Sequence, residues 1–167
     1  MKAIKFDGEI NEESIKILLS DIDKIDKNEN IIIYFISSGG SHSDSLILSD
    51  YINRDYKRFE IYCPWDVSSA AFDFLIEVKC KIVLNKHSFA RLHLFDNSLN
   101  YINLENNSSI DYFLKSNLEK NNRIWLNKLK IAGFTEEELN RIKQGYDVIL
   151  DSKRMIHVLK IMKRINK

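Results

Sequence analysis

Two adjacent glycines follow the most apolar run of the chain. Residues 31–36 are six consecutive β-branched or aromatic side chains, and Gly39 and Gly40 come shortly after them. Glycines at the end of a strand let backbone N–H groups approach a ligand without obstruction by side chains. The pair therefore predicts either donors for an oxyanion or a phosphate, or an ordinary strand-to-helix turn.

A serine at a second strand-to-helix turn is the candidate nucleophile. Ser69 follows Pro64 by a few residues and is followed directly by Ala70 and Ala71. Small residues allow the start of the helix to pack close to a site, and the N–H after the serine lies at the positive end of the helix dipole. A nucleophilic hydroxyl needs such a neighbouring donor for the developing oxyanion. The alternative interpretation is a serine N-cap.

His93 is the candidate proton acceptor. It lies in a predicted strand, residues 89–94, where alternation places it on the same face as Phe89 and Arg91. A histidine within reach of a serine hydroxyl can accept its proton, although a lone histidine on a strand also fits a structural role. The remaining histidines have no companion motif, but His42 follows Gly40 in a loop from which it can approach the same pocket.

The elements that position these residues alternate between strands and helices. Apolar periodicity predicts strands at residues 2–6, 31–36, 59–63, 81–84 and 89–94, with helices at about 11–25, 43–52 and 70–76. This order predicts an α/β fold built of right-handed crossovers, in which strand 31–36 is buried on both faces.

The second part of the chain is predicted to be mostly helical. A long helix runs from about Ser109 to Ile131, and Gly133 ends it. Thr135 and Glu138 form a capping box for the next helix, and a basic helix begins at Ser152.

Composition is that of an ordinary soluble domain. The 167 residues are 44% hydrophobic and 29% charged, and the net charge of +1 does not indicate nucleic acid or a membrane surface as a partner. Since no apolar run is long enough to span a bilayer and no signal core follows Met1, we expect a cytoplasmic protein. Cys63 and Cys80 are expected to be small buried residues, and no metal or other cofactor is predicted.

In their order, these segments resemble the proteolytic subunit of the Clp protease. That family has a strand ending in Ser-Pro-Gly-Gly, then a helix, a strand, a nucleophilic serine in an Ala-Ser-Met-Gly-like turn, and a strand with the catalytic histidine. The matching segments here are residues 37–41, 68–71 and 88–93. The spacing from Gly40 to the serine also resembles the family's and favours Ser69 over Ser68.

The resemblance implies a ClpP/crotonase fold, in which β-β-α or βαβ units repeat and a long handle helix lies in the C-terminal half. It implies a single domain over residues 1–167. Within this domain, residues 1–95 form the α/β core, residues 96–134 the handle region and residues 135–167 a C-terminal helical part.

The resemblance also implies a serine endopeptidase. Its triad would be Ser69, His93 and Asp147, with Asp151 as the alternative third member, and its oxyanion hole would be the backbone N–H groups of Gly40 and Ala70. The implied substrate is a peptide or unfolded protein. The implied assembly is a homo-oligomer, for which a ring and a dimer are the alternatives.

The sequence departs from the family at several positions. Trp65 and Asp66 stand where the family has glycine and glutamine, and Leu94 and Phe95 replace its Gln-Pro. The N-terminal segment through which the family contacts an ATPase unfoldase has no counterpart, so an ATPase partner is not expected. Two alternatives remain: a catalytically inactive structural or regulatory subunit, and an acyl-CoA enzyme of the crotonase fold.

Overall fold

The computed structural model describes residues 1–95 and 108–165, with the backbone alone for residues 108–115. The chain divides into two compact units. Unit 1 consists of Met1–Leu92 and Ile149–Lys167, and unit 2 of His93–Val148. The first part of the predicted handle region, residues 96–107, lies outside the described residues, and the single-domain organisation stays a prediction.

Unit 1 is built on a parallel sheet of four strands in the order β1-β2-β3-β4. The strands are β1 (Lys2–Asp7), β2 (Ile31–Ile36), β3 (Phe59–Cys63) and β4 (Lys81–Leu84), joined by α1 (Glu12–Asp23), α2 (His42–Arg54) and α3 (Ala70–Glu77). The α/β class with a parallel sheet is confirmed. The repeats typical of the ClpP/crotonase fold are a finer statement and stay a prediction.

The sheet is buried mainly on one face. In β2, Ile33 and Phe35 are fully buried, whereas Tyr34 between them is 41% exposed and packs edge-on against Tyr62 of β3. The prediction that β2 is buried on both faces is wrong. Strand order follows chain order, so successive right-handed crossovers return the helices to the same face.

Aromatic packing fills the space between the sheet and its helices. The ring of Phe35 lies 5.1 Å from that of Phe6 and 4.7 Å from that of Phe74, measured between centroids. Cys63 and Cys80 are buried and free, as predicted. This core fixes the carboxyl ends of β2 and β3, from which the candidate site residues extend.

Capping side chains mark the helix starts. Asn11 forms a capping box with Ser14 at the start of α1. α2 begins at His42, capped by Ser41, one residue earlier than predicted. This places the imidazole of His42 on the first residue of a helix instead of in a loop.

The structure also contains a short strand that was not predicted from the sequence. β5 (Phe89–Leu92) and β6 (Val148–Asp151) form a two-stranded sheet, and α6 (Ser152–Ile165) follows β6 directly. In β6, Val148 and Leu150 are buried while Ile149 is 65% exposed. Four residues are too few for this alternation to stand out in the sequence.

Unit 2 is helical in its described part. It contains α4 (Ser108–Ile131) and α5 (Glu136–Lys143). Gly133 follows α4 with φ +88°, and Thr135 and Glu138 form the predicted capping box of α5. The amide of Asn122 on α4 binds both the N–H and the carbonyl of Phe95. Within residues 1–95 and 108–165, no helix has the length and apolarity to cross a bilayer.

Candidate active site

Ser69 adopts a strained backbone conformation at the turn between β3 and α3. Its φ of 52° and ψ of −127° make it the one non-glycine residue with positive φ in the described part of the chain. Such a conformation costs about 1–3 kcal/mol and persists only where the surroundings enforce it. A sharp, strained strand-to-helix turn is also the conformation that exposes the nucleophile in α/β-hydrolases. The hydroxyl does not cap α3, so the N-cap interpretation does not hold.

Backbone hydrogen bonds fix this turn on both sides. The N–H of Ser69 donates to the carbonyl of Arg91 on β5 at 3.0 Å. The N–H of Ser68 donates to the carbonyl of Ser37 at 3.0 Å, and the N–H of Ser37 donates to the carbonyl of Asp66 at 2.9 Å. The turn is therefore held between the segment after β2 and strand β5.

An ion pair with a largely buried carboxylate and a partly exposed guanidinium lies close to the candidate nucleophile. Asp66 Oδ2 accepts from Arg91 Nη2 at 2.9 Å, and Asp66 Oδ1 accepts from the hydroxyl of Ser68. The Ser68 hydroxyl oxygen in turn accepts from the backbone N–H of Arg91 at 2.8 Å. The side chain of Asp66 is 14% exposed, and Ser68 is 1% exposed. In the sequence Asp66 was only a departure from the family, but in the structure it anchors the turn that carries Ser69.

The first glycine of the pair, Gly39, packs directly against Ser69, whereas Gly40 packs against Ile10. A Cβ on Gly39 would lie 2.6 Å from the Cβ of Ser69, and φ at Gly39 is +114°. A Cβ on Gly40 would lie 2.3 Å from the carbonyl oxygen of Ile10, and φ there is +133°. Both positions therefore require glycine, for close approach and for backbone conformation.

Two backbone N–H groups, that of Ala70 directly after Ser69 and that of Gly40 directly after Gly39, are the candidate donors to an anion. Among the described residues, neither the N–H of Gly40 nor that of Ala70 donates a hydrogen bond to another backbone group outside the regular helices and strands. The carbonyl of Gly39 and the N–H of Ser41 both bind Ile10, so the N–H of Gly40 between them points the other way. Ala70 is the first residue of α3, where N–H groups have no partner within the helix. Such donors suit the oxyanion of an acyl-transfer reaction.

A histidine–aspartate pair lies one helical turn beyond Ser69. His42 Nδ1 is 3.1 Å from Asp73 Oδ2, and the N–H of Asp73 donates to the carbonyl of Ser69 at 3.2 Å. The hydrogen bond to Asp73 raises the pKa of His42, burial opposes this, and the charges of Asp73 and Glu77 add to the increase. The sequence analysis placed His42 near the pocket but did not find its partner. The available signal was Asp73, the one charged residue in the otherwise apolar run 70–76.

The predicted base and its orienting residue lie in unit 2. His93 Nδ1 is 2.8 Å from the carbonyl oxygen of Leu94. Asp147 is exposed and comes directly before β6. Asp151 lies in unit 1, where its carboxylate accepts from the N–H of Arg154 and caps α6. Neither unit by itself contains Ser69, His93 and Asp147 together, so this triad stays a prediction.

The cysteines do not offer an alternative nucleophile. Burial raises the pKa of Cys63 to about 12 and that of Cys80 to about 11, so both remain thiols at neutral pH. Among the described residues, no group of three or more His, Cys, Asp or Glu side chains is arranged to hold a metal ion.

No family model matches the chain, and no curated protein sequence matches it. The resemblance to the Clp protease subunit therefore depends on the residues quoted above.

Proposed function

We propose that this protein is a serine hydrolase with Ser69 as its nucleophile. The observation that carries the proposal is the strained backbone conformation of Ser69. Hydrogen bonds to Ser37 and Arg91 hold this turn on both sides, and Gly39 packs against the Ser69 side chain. Strain of this kind is concentrated at functional sites. Beside it, the N–H groups of Gly40 and Ala70 supply the oxyanion hole.

The more specific proposal is a serine endopeptidase of the Clp-protease type. Ser69 Oγ attacks a peptide carbonyl carbon and its proton passes to a histidine, for which the resemblance implies His93 oriented by Asp147. The negative charge on the carbonyl oxygen is stabilised by Gly40 and Ala70. The histidine then protonates the leaving amine, and water hydrolyses the acyl-enzyme. No cofactor takes part in these steps.

The resemblance supplies the remaining parts of the proposal. Its fold would be of the ClpP/crotonase type, its substrate a peptide or unfolded protein, and its assembly a homo-oligomer with α4 as a handle. Gel filtration tests the assembly, because a monomer at micromolar concentration would exclude a ring.

Fluorophosphonate labelling with peptide mapping tests the nucleophile without knowledge of the substrate. We expect the wild type to be labelled on the peptide that contains Ser69, and Ser69→Ala to lose that label. Ser20→Ala, which removes an exposed hydroxyl on α1, is the matched control and should label like the wild type.

Absence of labelling in a folded, assembled wild type would contradict the hydrolase and favour the inactive subunit. Measured binding of coenzyme A would favour the crotonase-type alternative instead. Cleavage of a fluorescent casein substrate, lost in Ser69→Ala, would support the endopeptidase specifically.

A further inference from the structure

Two helix starts bring a histidine and a carboxylate together near Ser69. α2 begins at His42, and α3 begins directly after Ser69. The imidazole of His42 reaches across to α3, where its Nδ1 is 3.1 Å from Asp73 Oδ2. The Asp73 side chain is 10% exposed, whereas the His42 side chain is 46% exposed. The pair therefore has a buried carboxylate and an imidazole that reaches solvent.

Short connections on two sides link this pair to the nucleophile. On one side, the N–H of Asp73 donates to the carbonyl of Ser69, so the carboxylate is on the first turn of the helix that Ser69 begins. On the other side, Gly39 packs against the side chain of Ser69, and His42 is three residues further along the chain. The two segments that carry His42 and Asp73 are thus both in contact with Ser69 or its backbone.

The hydrogen bond to Asp73 decides which nitrogen of His42 can accept a proton. An ionised carboxylate only accepts hydrogen bonds, so Nδ1 of His42 carries the hydrogen and donates it. In the neutral imidazole the lone pair is then on Nε2. This is the relation that an orienting aspartate has to the histidine of a serine hydrolase triad.

Asp73 is unusual for its position. Every residue of the run 70–76 is buried, and all the others are apolar. Burying a carboxylate is costly unless it is paired and hydrogen-bonded. The partner that the structure supplies is His42, so the placement of Asp73 is explained by a role in holding that imidazole.

We propose that His42, oriented by Asp73, is the general base that serves Ser69, in place of His93. The inference depends on the proposed hydrolase function. As the bond from Ser69 Oγ to the substrate carbonyl carbon forms, the Oγ proton passes to Nε2 of His42. As the scissile C–N bond breaks, the imidazolium returns this proton to the leaving amine. Asp73 is the positioning residue of the pair.

The pH dependence of the reaction depends on the pKa of His42, which its pairing with Asp73 affects. Asp73 and Glu77, both on α3, are the charged groups that raise the pKa of His42. Only neutral His42 accepts a proton, so the rate of acylation rises with pH through that pKa. Asp73→Asn removes the carboxylate charge, so its pH midpoint lies below that of the wild type.

The test is the second-order rate constant for fluorophosphonate labelling of Ser69 between pH 5 and 9. We expect His42→Gln to lower this constant by roughly 10²- to 10⁴-fold, and His93→Gln to stay within about threefold of the wild type. Asp73→Asn should shift the midpoint to lower pH. A purely structural role for Asp73 would lower the rate without moving the midpoint.

The outcomes separate this inference from the proposed function. Retention of the wild-type rate in His42→Gln, with loss in His93→Gln, would overturn the inference and leave the hydrolase intact. If labelling is slow in both variants, or if circular dichroism shows that His42→Gln is unfolded, the pH profile of Asp73→Asn decides between the two histidines. A midpoint shifted to lower pH supports His42 as the base, and an unchanged midpoint overturns the inference. If the wild type labels no faster than Ser69→Ala, the proposed function itself fails.

Discussion

Unit 1 and unit 2 each hold one candidate histidine by its Nδ1, but with different acceptors. In unit 1 the acceptor for His42 is the carboxylate of Asp73, and in unit 2 the acceptor for His93 is the backbone carbonyl of Leu94. Both arrangements place the lone pair of the neutral ring on Nε2. The carboxylate in addition places a negative charge beside the imidazolium that forms when a base accepts a proton.

The difference teaches that a hydrogen bond donated by Nδ1 does not by itself make a histidine a better proton acceptor. A carbonyl fixes the tautomer of His93 and supplies no net charge. The carboxylate of Asp73 fixes the tautomer of His42 and raises its pKa as well. On this ground we propose that His42 is the proton acceptor of a site that Ser69, Gly40 and Ala70 would form in unit 1.

The largest expected effect tests whether the chemistry of unit 1 depends on Ser69. Ser69→Ala removes the nucleophile, so turnover of an ester or peptide substrate should fall on the order of 10⁶-fold, as for other serine hydrolase triads. The rate is measured at saturating substrate and compared with that of Ser20→Ala. If Ser69→Ala keeps its activity, the reaction does not depend on the Ser69 hydroxyl, and unit 1 does not hold the active site proposed for it.

A second prediction concerns the glycine that packs on the nucleophile. Gly39→Ala places a Cβ 2.6 Å from the Cβ of Ser69, so either the serine or the oxyanion donor of Gly40 must move. Loss of one oxyanion donor costs roughly 10²- to 10³-fold in kcat, and we expect a loss of that order.

Gly8→Ala is the matched control for this variant. Gly8 also has positive φ, but a Cβ there meets nothing within 4 Å. Backbone strain without a clash should lower stability and leave the rate constant near that of the wild type. Equal rate losses in the two variants would show that the contact with Ser69 is not what matters.

A third prediction tests the ion pair that anchors the turn. Arg91→Met leaves the carboxylate of Asp66 without its cation, and a lost hydrogen bond to a charged group costs about 2 kcal/mol. Chemical denaturation should show this decrease in the free energy of unfolding, together with slower labelling of Ser69. Loss of stability with an unchanged labelling rate would mean that the pair does not position the nucleophile.

The smallest expected effect is the pH dependence of stability due to His42. Because the folded protein raises its pKa above 6.5, His42 stabilises the fold fully below about pH 6.5, and this contribution decreases as pH rises through the folded-state pKa. The difference in unfolding free energy between wild type and His42→Gln should therefore be larger at pH 5.5 than at pH 9. The imidazole is partly exposed, so solvent screens the effect. A difference that grows with pH would contradict the raised pKa.

The sequence predicted those features that depend on local patterns. Strand β4 and the start of α3 agree with their apolar runs, and the capping box of Thr135 and Glu138 follows from residue type and spacing. The two glycines and Ser69 were found as weak local motifs. The structure brings Gly39 and Ser69 into contact, and the roles of Ser69 and Gly40 as site residues stay predictions.

Features that depend on contacts distant in the chain were missed. His42 and Asp73 are 31 positions apart, and Arg91 lies 25 positions after Asp66. No local periodicity relates such residues, because the crossovers of the sheet bring them together. The exposed face of β2 was missed for a related reason, since a β-branched run does not reveal on which side the helices pack.

The most direct test is a crystal structure of the protein after reaction with diisopropyl fluorophosphate. The account predicts phosphorus bonded to Ser69 Oγ, with the phosphoryl oxygen about 2.7–3.1 Å from the backbone nitrogens of both Gly40 and Ala70. An adduct on another residue would contradict it. So would a phosphoryl oxygen directed away from these two nitrogens, because Ser69 would then react without an oxyanion hole.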